Sequence, residues 1–234
     1  MGAVCLVVLF VLGGVGYFGL RQMNRTARAA SCPNDVYHLF QALRQYAADH
    51  DGLVPPISVV RGNIMMDPDG FYLKYLTNSC WTQCEYSPAR QKRDGHHKND
   101  DLGNSAFNDD SFCYLPWETT TEKEALAFIQ AYKNLDLRKR EDDLHVMIDD
   151  KLHTLPRTRL SSEVLRQGFE DGAPEIPLIV EWPNHAHIRG TIYYTNGFRE
   201  MKDIGDGFPM TADILAGLRE IASMDRPIPE WEFW

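Results

Sequence analysis

From Ala3 to Leu20 the chain reads AVCLVVLFVLGGVGYFGL, eighteen residues without a charge. A helix needs about 20 predominantly apolar residues to cross the hydrocarbon core of a bilayer, so this run reaches the length of one span. A cleaved signal peptide is the other reading. It requires a basic n-region, and no Lys or Arg precedes Leu20. The expectation is a retained transmembrane anchor over residues 1–21, which makes the membrane a partner, followed by one domain over 22–234. Gly13, Gly14, Gly16 and Gly19 would let a second helix approach closely, as small residues do in lipid.

Charge is distributed unevenly about that anchor. Arg21, Arg25 and Arg28 form a basic collar, and residues 1–31 hold no acid; the remainder carries 21 basic and 33 acidic side chains. Proteins that hold phosphate backbones concentrate positive charge, so this balance argues against nucleic acid as a partner. The collar, by the positive-inside rule, would keep the domain in the cytoplasm. The cysteines point the other way. Cys32, Cys80, Cys84 and Cys113 form an even set outside the anchor, as two disulfides require, and disulfides persist in oxidising compartments. Three pairings are open. Four buried thiols, or a metal on Cys80-x3-Cys84, are the alternatives, and no second close Cys or His pair completes a zinc pattern.

The rest of the chain reads as α+β. Val36, Leu39, Phe40, Leu43, Tyr46 and Ala47 recur at helical spacing, and Asp51-Gly52 and Pro55-Pro56 end that helix. Pro33 forces a kink or restart between anchor and helix. Residues 57–118 have no sustained period and read as a loop-rich insertion. Thr121-x-x-Glu124 is a capping box ahead of Ala125, Leu126, Phe128, Ile129 and Tyr132. LHVMI (144–148) predicts a strand, and 162–169 a short helix. IPLIVEW (176–182) and IRGTIYY (188–194) are β-branched runs. Asn196-Gly197 then predicts a two-residue hairpin turn into FREMK. Thr211 caps a closing helix through Ile214, Leu215, Leu218 and Ile221, and the terminal Trp231, Phe233 and Trp234 are expected to cover an edge of the core.

Patterns that would carry chemistry are incomplete. His185-x-His187 has a usable metal spacing, with Glu181 as the one near third ligand and Arg189 opposing a cation. His96, His97, Asp100 and Asp101 sit in the polar 96–110 stretch, where a charge run is ordinarily a solvated loop. Asp67-Pro68-Asp69-Gly70 begins like a calcium loop but has no Glu at the twelfth position. A serine elbow, a P-loop and a dinucleotide glycine fingerprint are all missing. The acid pairs Asp142/Asp143 and Asp149/Asp150 have nothing in the sequence that brings two chosen carboxylates together across a substrate. The residues thus predict neither a catalytic centre nor a cofactor.

Two stretches carry a resemblance. ARAASCPNDVYHLFQALRQYAADHDGLVPP (27–56) resembles the segment after the membrane helix in bacterial prepilin-type, type II secretion G-like pseudopilin proteins. Its matching residues are Arg25, just upstream, and Arg28, Cys32, Tyr46, Ala47, Asp49, His50, Asp51, Gly52, Pro55 and Pro56. GTIYYTNGFREMKDIGDGFPMTADILAGLREI (190–221) is similar to the family's closing hairpin, through Gly190, Asn196, Gly197, Phe208, Pro209, Met210 and Thr211. Asn196 stands where Asp is usual. The two stretches cover about a quarter of the chain, in the family's order.

The resemblance implies a pilin-like fold, with an N-terminal helix half in the membrane and half packed on a small antiparallel sheet. It also implies a domain on the outer side of the cytoplasmic membrane, an oxidising setting for the four cysteines, and a non-enzymatic role in protein–protein contact within the envelope or in self-association, as in a secretion or pilus-like assembly. The outer face of the sheet and the 85–112 loop would be the contact surfaces. The family's basic leader with its Gly-Phe-Thr-Leu-Ile-Glu run is not in this sequence. Two expectations follow: a misassigned start with the leader upstream, or a relative that stays anchored without polymerising. The competing reading is a tethered glycan-binding module or hydrolase built on Trp81, Trp117 and Trp182.

Overall fold

Val36, Leu39, Phe40, Leu43 and Ala47 are all buried on one side of helix α1 (36–49). The computed structural model describes residue 34, residues 36–72, 74–76, 112–172, 175–181 and 189–222, and residue 224. The anchor, Pro33, Cys32, Cys80, Cys84 and the 85–111 loop lie outside the described residues, as do Trp81, Trp182, His185, His187 and the aromatic tail. Among the described residues no helix is long and apolar enough to cross a membrane.

α1 ends where its backbone leaves the right-handed region: Asp51 and Gly52 have φ of 53° and 84°, and the Gly52 N–H returns to the Ala47 carbonyl at 2.8 Å. A left-handed residue at this point satisfies a carbonyl that the last helical turn leaves open. The chain then runs beside 158–160. Val54 N–H donates to the Thr158 carbonyl and Leu160 N–H to the Gly52 carbonyl. The stretch expected to be irregular contains short paired pieces, with Ile57 bridged to Met66, and one true strand, β1 (Phe112–Tyr114).

Next come α2 (Glu122–Tyr132), one turn of 3-10 helix at Leu137–Lys139, β2 (Leu144–Ile148) and β3 (Lys151–Leu155). α3 (Ser162–Gln167), β4 (Pro177–Glu181), β5 (Arg189–Tyr194), β6 (Arg199–Asp203) and α4 (Ala212–Ala222) follow. The predicted capping box on α2 is formed in both directions between Thr121 and Glu124. Thr211 Oγ1 accepts from the Ile214 N–H at the start of α4, as its position predicts.

The main sheet is antiparallel in the order β1-β4-β5-β6, and β2-β3 form a separate two-stranded ribbon. β4 is buried along its whole length, which explains why it is apolar from Pro177 to Val180 rather than alternating. Its register slips by one between Pro177 and Ile179, so Leu178 and Ile179 both join the core under α1. Val180, Ile192 and Tyr194 join a second core with Phe128, Ile129, Leu215 and Leu218 of α2 and α4. Strands β4 and β5 are therefore covered on both faces, α1 on one and α2 with α4 on the other, while β6 stays largely exposed. At β4 and β5 that corrects the expectation that the sheet's outer face is a free contact surface.

The hairpin between β5 and β6 forms, but not with the two-residue Asn-Gly turn. Tyr193 pairs with Arg199 and Tyr194 N–H bonds to the Phe198 carbonyl, leaving three residues, Thr195 to Gly197, in the loop. Only Gly197 is left-handed, with φ of 78°. This is the three-residue hairpin with glycine at the bulge position.

Candidate functional site

The family-like residues occupy two places. At the end of α1, the His50 ring stacks on Tyr46, with centroids 3.8 Å apart and planes 5° from parallel, and its Nδ1–H donates to the Tyr46 carbonyl at 2.7 Å. Tyr75 meets both rings edge-on, and its hydroxyl donates to Asp49 Oδ2 at 2.8 Å. Lys74 reaches both Asp49 and the Tyr75 hydroxyl. Hydrogen bonding from Tyr75 and then from Lys74 holds the Asp49 carboxyl below its ordinary range. Gly52 leaves room for the Leu160 carbonyl, which would stand 3.0 Å from a Cβ there. Pro55 supplies the carbonyl that takes the buried Tyr114 hydroxyl at 2.6 Å. The motif thus acts as a helix stop tied to two neighbouring segments. Lys74 and Tyr75 were invisible to periodicity because they lie in the irregular stretch.

The second place is the β5–β6 hairpin and the turn before α4. A Cβ on Gly190 would lie 2.8 Å from both the Glu181 carbonyl and the Met210 methyl, so the strands close only over glycine. Asn196 is buried, and its Oδ1 accepts from the Phe198 N–H at 3.2 Å. The Phe208–Pro209 peptide is cis, and the Phe208 carbonyl takes a hydrogen bond from Lys202 Nζ at 2.8 Å. Beside this turn, Glu181 is buried, forms no ion pair among the described residues, and accepts from the Thr191 N–H at 2.9 Å. Burial pushes its carboxyl above the ordinary range, against those hydrogen bonds.

A third polar centre was not anticipated. Arg157, 7% exposed, donates to the carbonyls of Val54 and Arg140 at 2.7 and 2.9 Å and lies over the Trp117 ring. Its own N–H donates to Asp143 Oδ1. Asp67, at the head of the calcium-like stretch, is buried against Arg140 and accepts from the Asp69 N–H. Arg61 donates to the carbonyls of Tyr132, Lys133 and Leu135 at the end of α2. Arg157 and Arg61 thereby fasten loops to backbone carbonyls, which is how buried backbone acceptors are satisfied outside helices and sheets.

The remaining expectations meet this geometry as follows. Cys113 is a buried free thiol on β1, its pKa pushed well up by burial, and the three cysteines expected to pair with it, Cys32, Cys80 and Cys84, lie outside the described residues. Trp117 is 1% exposed and its indole N–H donates to the Asp142 carbonyl at 3.0 Å, so it offers no ring face to a sugar. Asp143 and Asp149 are engaged by Arg157 and Lys123, so neither acid pair stands as a free couple. Among the described residues no group of three His, Cys, Asp or Glu side chains is placed to hold a metal. No family model, curated protein or solved structure matches the chain.

Proposed function

We propose that the protein is a non-enzymatic, pseudopilin-like envelope protein, anchored in the cytoplasmic membrane by its N-terminal helix, with its domain outside and acting through protein–protein contacts. One observation carries this reading. The two family-like segments, 150 residues apart in the chain, pack directly on each other: the Phe40 ring of α1 stacks on Tyr193 of β5, with centroids 5.4 Å apart. A helix laid across a small antiparallel sheet by these two segments is the arrangement a pilin-like fold requires. The helix-stop residues Tyr46, Asp49, Gly52 and Pro55 and the turn residues Gly190, Gly197 and Pro209 all serve that arrangement.

The test is membrane extraction combined with protease access. The full chain, expressed in a bacterium with two membranes, is expected to resist alkaline carbonate extraction and to lose its domain to protease added to spheroplasts. Recovery in the carbonate supernatant would overturn the anchor, and protection in intact spheroplasts would overturn the outward orientation.

A further inference from the structure

β6 is the outer strand of the main sheet, with β5 on one side and no strand on the other among the described residues. Next to the hairpin loop the Tyr194 N–H bonds to the Phe198 carbonyl. Bonded and unbonded pairs alternate along an antiparallel ladder, so Ile192–Glu200 and Gly190–Lys202 are the bonded pairs that follow. Glu200 and Lys202 thus turn their backbone groups toward β5, and Arg199, Met201 and Asp203 turn theirs away from it. The Asp203 carbonyl takes the Asp206 N–H, whereas the outward groups of Arg199 and Met201 bond nothing among the described residues.

The charges of this strand form a palindrome. Arg199-Glu200-Met201-Lys202-Asp203 sets two bases and two acids symmetrically about Met201, a neutral strand in a chain of net charge −9. In a second copy laid antiparallel with Met201 opposite Met201, Arg199 meets Asp203 twice and Glu200 meets Lys202 twice. Opposite charges directly across a ladder stabilise it and like charges destabilise it. Outward groups must meet outward groups, so every other self-pairing within the strand centres on Arg199, Glu200, Lys202 or Asp203. Each of those sets a charge against itself on the two-fold axis. The Met201 register avoids this, and it lets the two copies exchange backbone hydrogen bonds at the axis and between Arg199 and Asp203.

The side chains are placed for such a partner. Arg199 and Met201 are exposed, Met201 at 53%. Glu200 Oε2 accepts from the Tyr194 hydroxyl at 2.7 Å and Lys202 donates one N–H to the Phe208 carbonyl, which leaves one oxygen and two N–H groups for a facing strand. Asp203, already held by Arg189 on β5, would lie between two guanidinium groups. At the far edge of the sheet the Tyr114 N–H of β1 is taken by the Ile64 carbonyl, so the sheet is open to extension at β6 and pairing there closes at two copies. We propose that the occupant of the β6 edge is a second copy of this chain, joined β6 to β6 about Met201 in one continuous eight-stranded sheet. This rests on the contact role proposed above and names its partner; the measurement below does not read the membrane, so the anchor and the dimer fail or succeed separately.

The full chain in detergent, run by sedimentation velocity across a wide concentration range, is expected to form a dimer. Arg199→Asp sets acid against acid at both outer pairs, and Asp203→Arg sets base against base. Each alone should raise the dimer dissociation constant about tenfold or more. Mixed in equal amounts, the two variants regain opposite charges at both pairs and should form a mixed dimer about as tight as the parent, a rescue that misfolding could not give. Met201→Pro removes an outward N–H and spares the ladder to β5, so it should also weaken the dimer. A monomeric parent would overturn the proposal and leave the edge to a strand of another protein. A dimer that neither charge variant weakens would overturn it by placing the association elsewhere, as in the anchor, and so would a mixture no tighter than its components.

Discussion

Arg157 Nη2 donates to the carbonyl of Val54 at 2.7 Å, joining two segments 103 residues apart in the chain. The same guanidinium serves the Arg140 carbonyl and lies over Trp117, so it reinforces with a side chain the junction of three stretches. Arg157→Ala would strand two acceptors and open a void beneath the indole. Leaving a buried acceptor unsatisfied costs about 1–3 kcal/mol, so two of them set an expected loss of roughly 2–6 kcal/mol in urea unfolding. Arg157→Lys keeps the charge but not the planar fork, and should recover less than half of the loss.

Gly197 and Gly70 are both left-handed, yet their surroundings differ. A Cβ on Gly197 would lie 2.3 Å from the Gly168 carbonyl, whereas one on Gly70 meets nothing within 4 Å. Gly70→Ala should therefore cost only the conformational penalty of about 1 kcal/mol. Gly197→Ala adds a backbone collision and should cost roughly 2–4 kcal/mol. Equal thermal shifts for the two variants would contradict the close approach.

Glu181 gives a pH signature. Its carboxyl is raised in the folded protein by burial and ordinary in the unfolded chain, so its contribution is fully present below the unfolded value of 4.5 and is lost as pH climbs through the folded value. Glu181→Gln keeps an acceptor for the Thr191 N–H without the charge. Its melting temperature should match the parent in acid and exceed it at neutral pH. A constant difference across the range would show that the carboxyl does not titrate differently on folding.

Much of this architecture could be read from residues alone, and the omissions share a cause. α2, α4, β2, β4 and the β5–β6 hairpin announce themselves by caps, periodicity or turn chemistry. β1 has three residues and exists because β4, more than sixty residues away, supplies its partners; no local pattern encodes that. β3 is exposed on both faces from Lys151 to Thr154, so KLHTL lacks the alternation that burial imposes. The turn register depended on which residue would take the left-handed position, and the close approach of Gly168 to Gly197 favours the longer loop. Asp67, Arg140 and Arg157 look like ordinary surface charges in sequence, since Asp67 and Arg140 are buried against each other across 73 residues and Arg157 against the Val54 carbonyl across 103. The family-like motifs were legible as identities, but their task of closing α1 and tightening β5 against β4 emerges only from contacts.

Trp117 offers a further measurement. With its indole N–H donated to the Asp142 carbonyl and its ring against Phe128, it should be blue-shifted in emission and poorly quenched by iodide. Trp117→Phe keeps most of the packing and orphans that carbonyl, for an expected loss of about 1–3 kcal/mol. Strong quenching, or stabilisation by added oligosaccharide that the variant abolishes, would return the ring to the surface as a ligand platform.

The main sheet is a party wall. Ile179 and Tyr193 face one core while Val180, Ile192 and Tyr194 face the other, so neither core has a boundary of its own. A chain divided in this way cannot melt one half and keep the second, because loosening α1 exposes the same strands on which α2 and α4 rest. Cooperativity then belongs to the domain as a whole, and a damaged contact on either side weakens the other by way of β4 and β5.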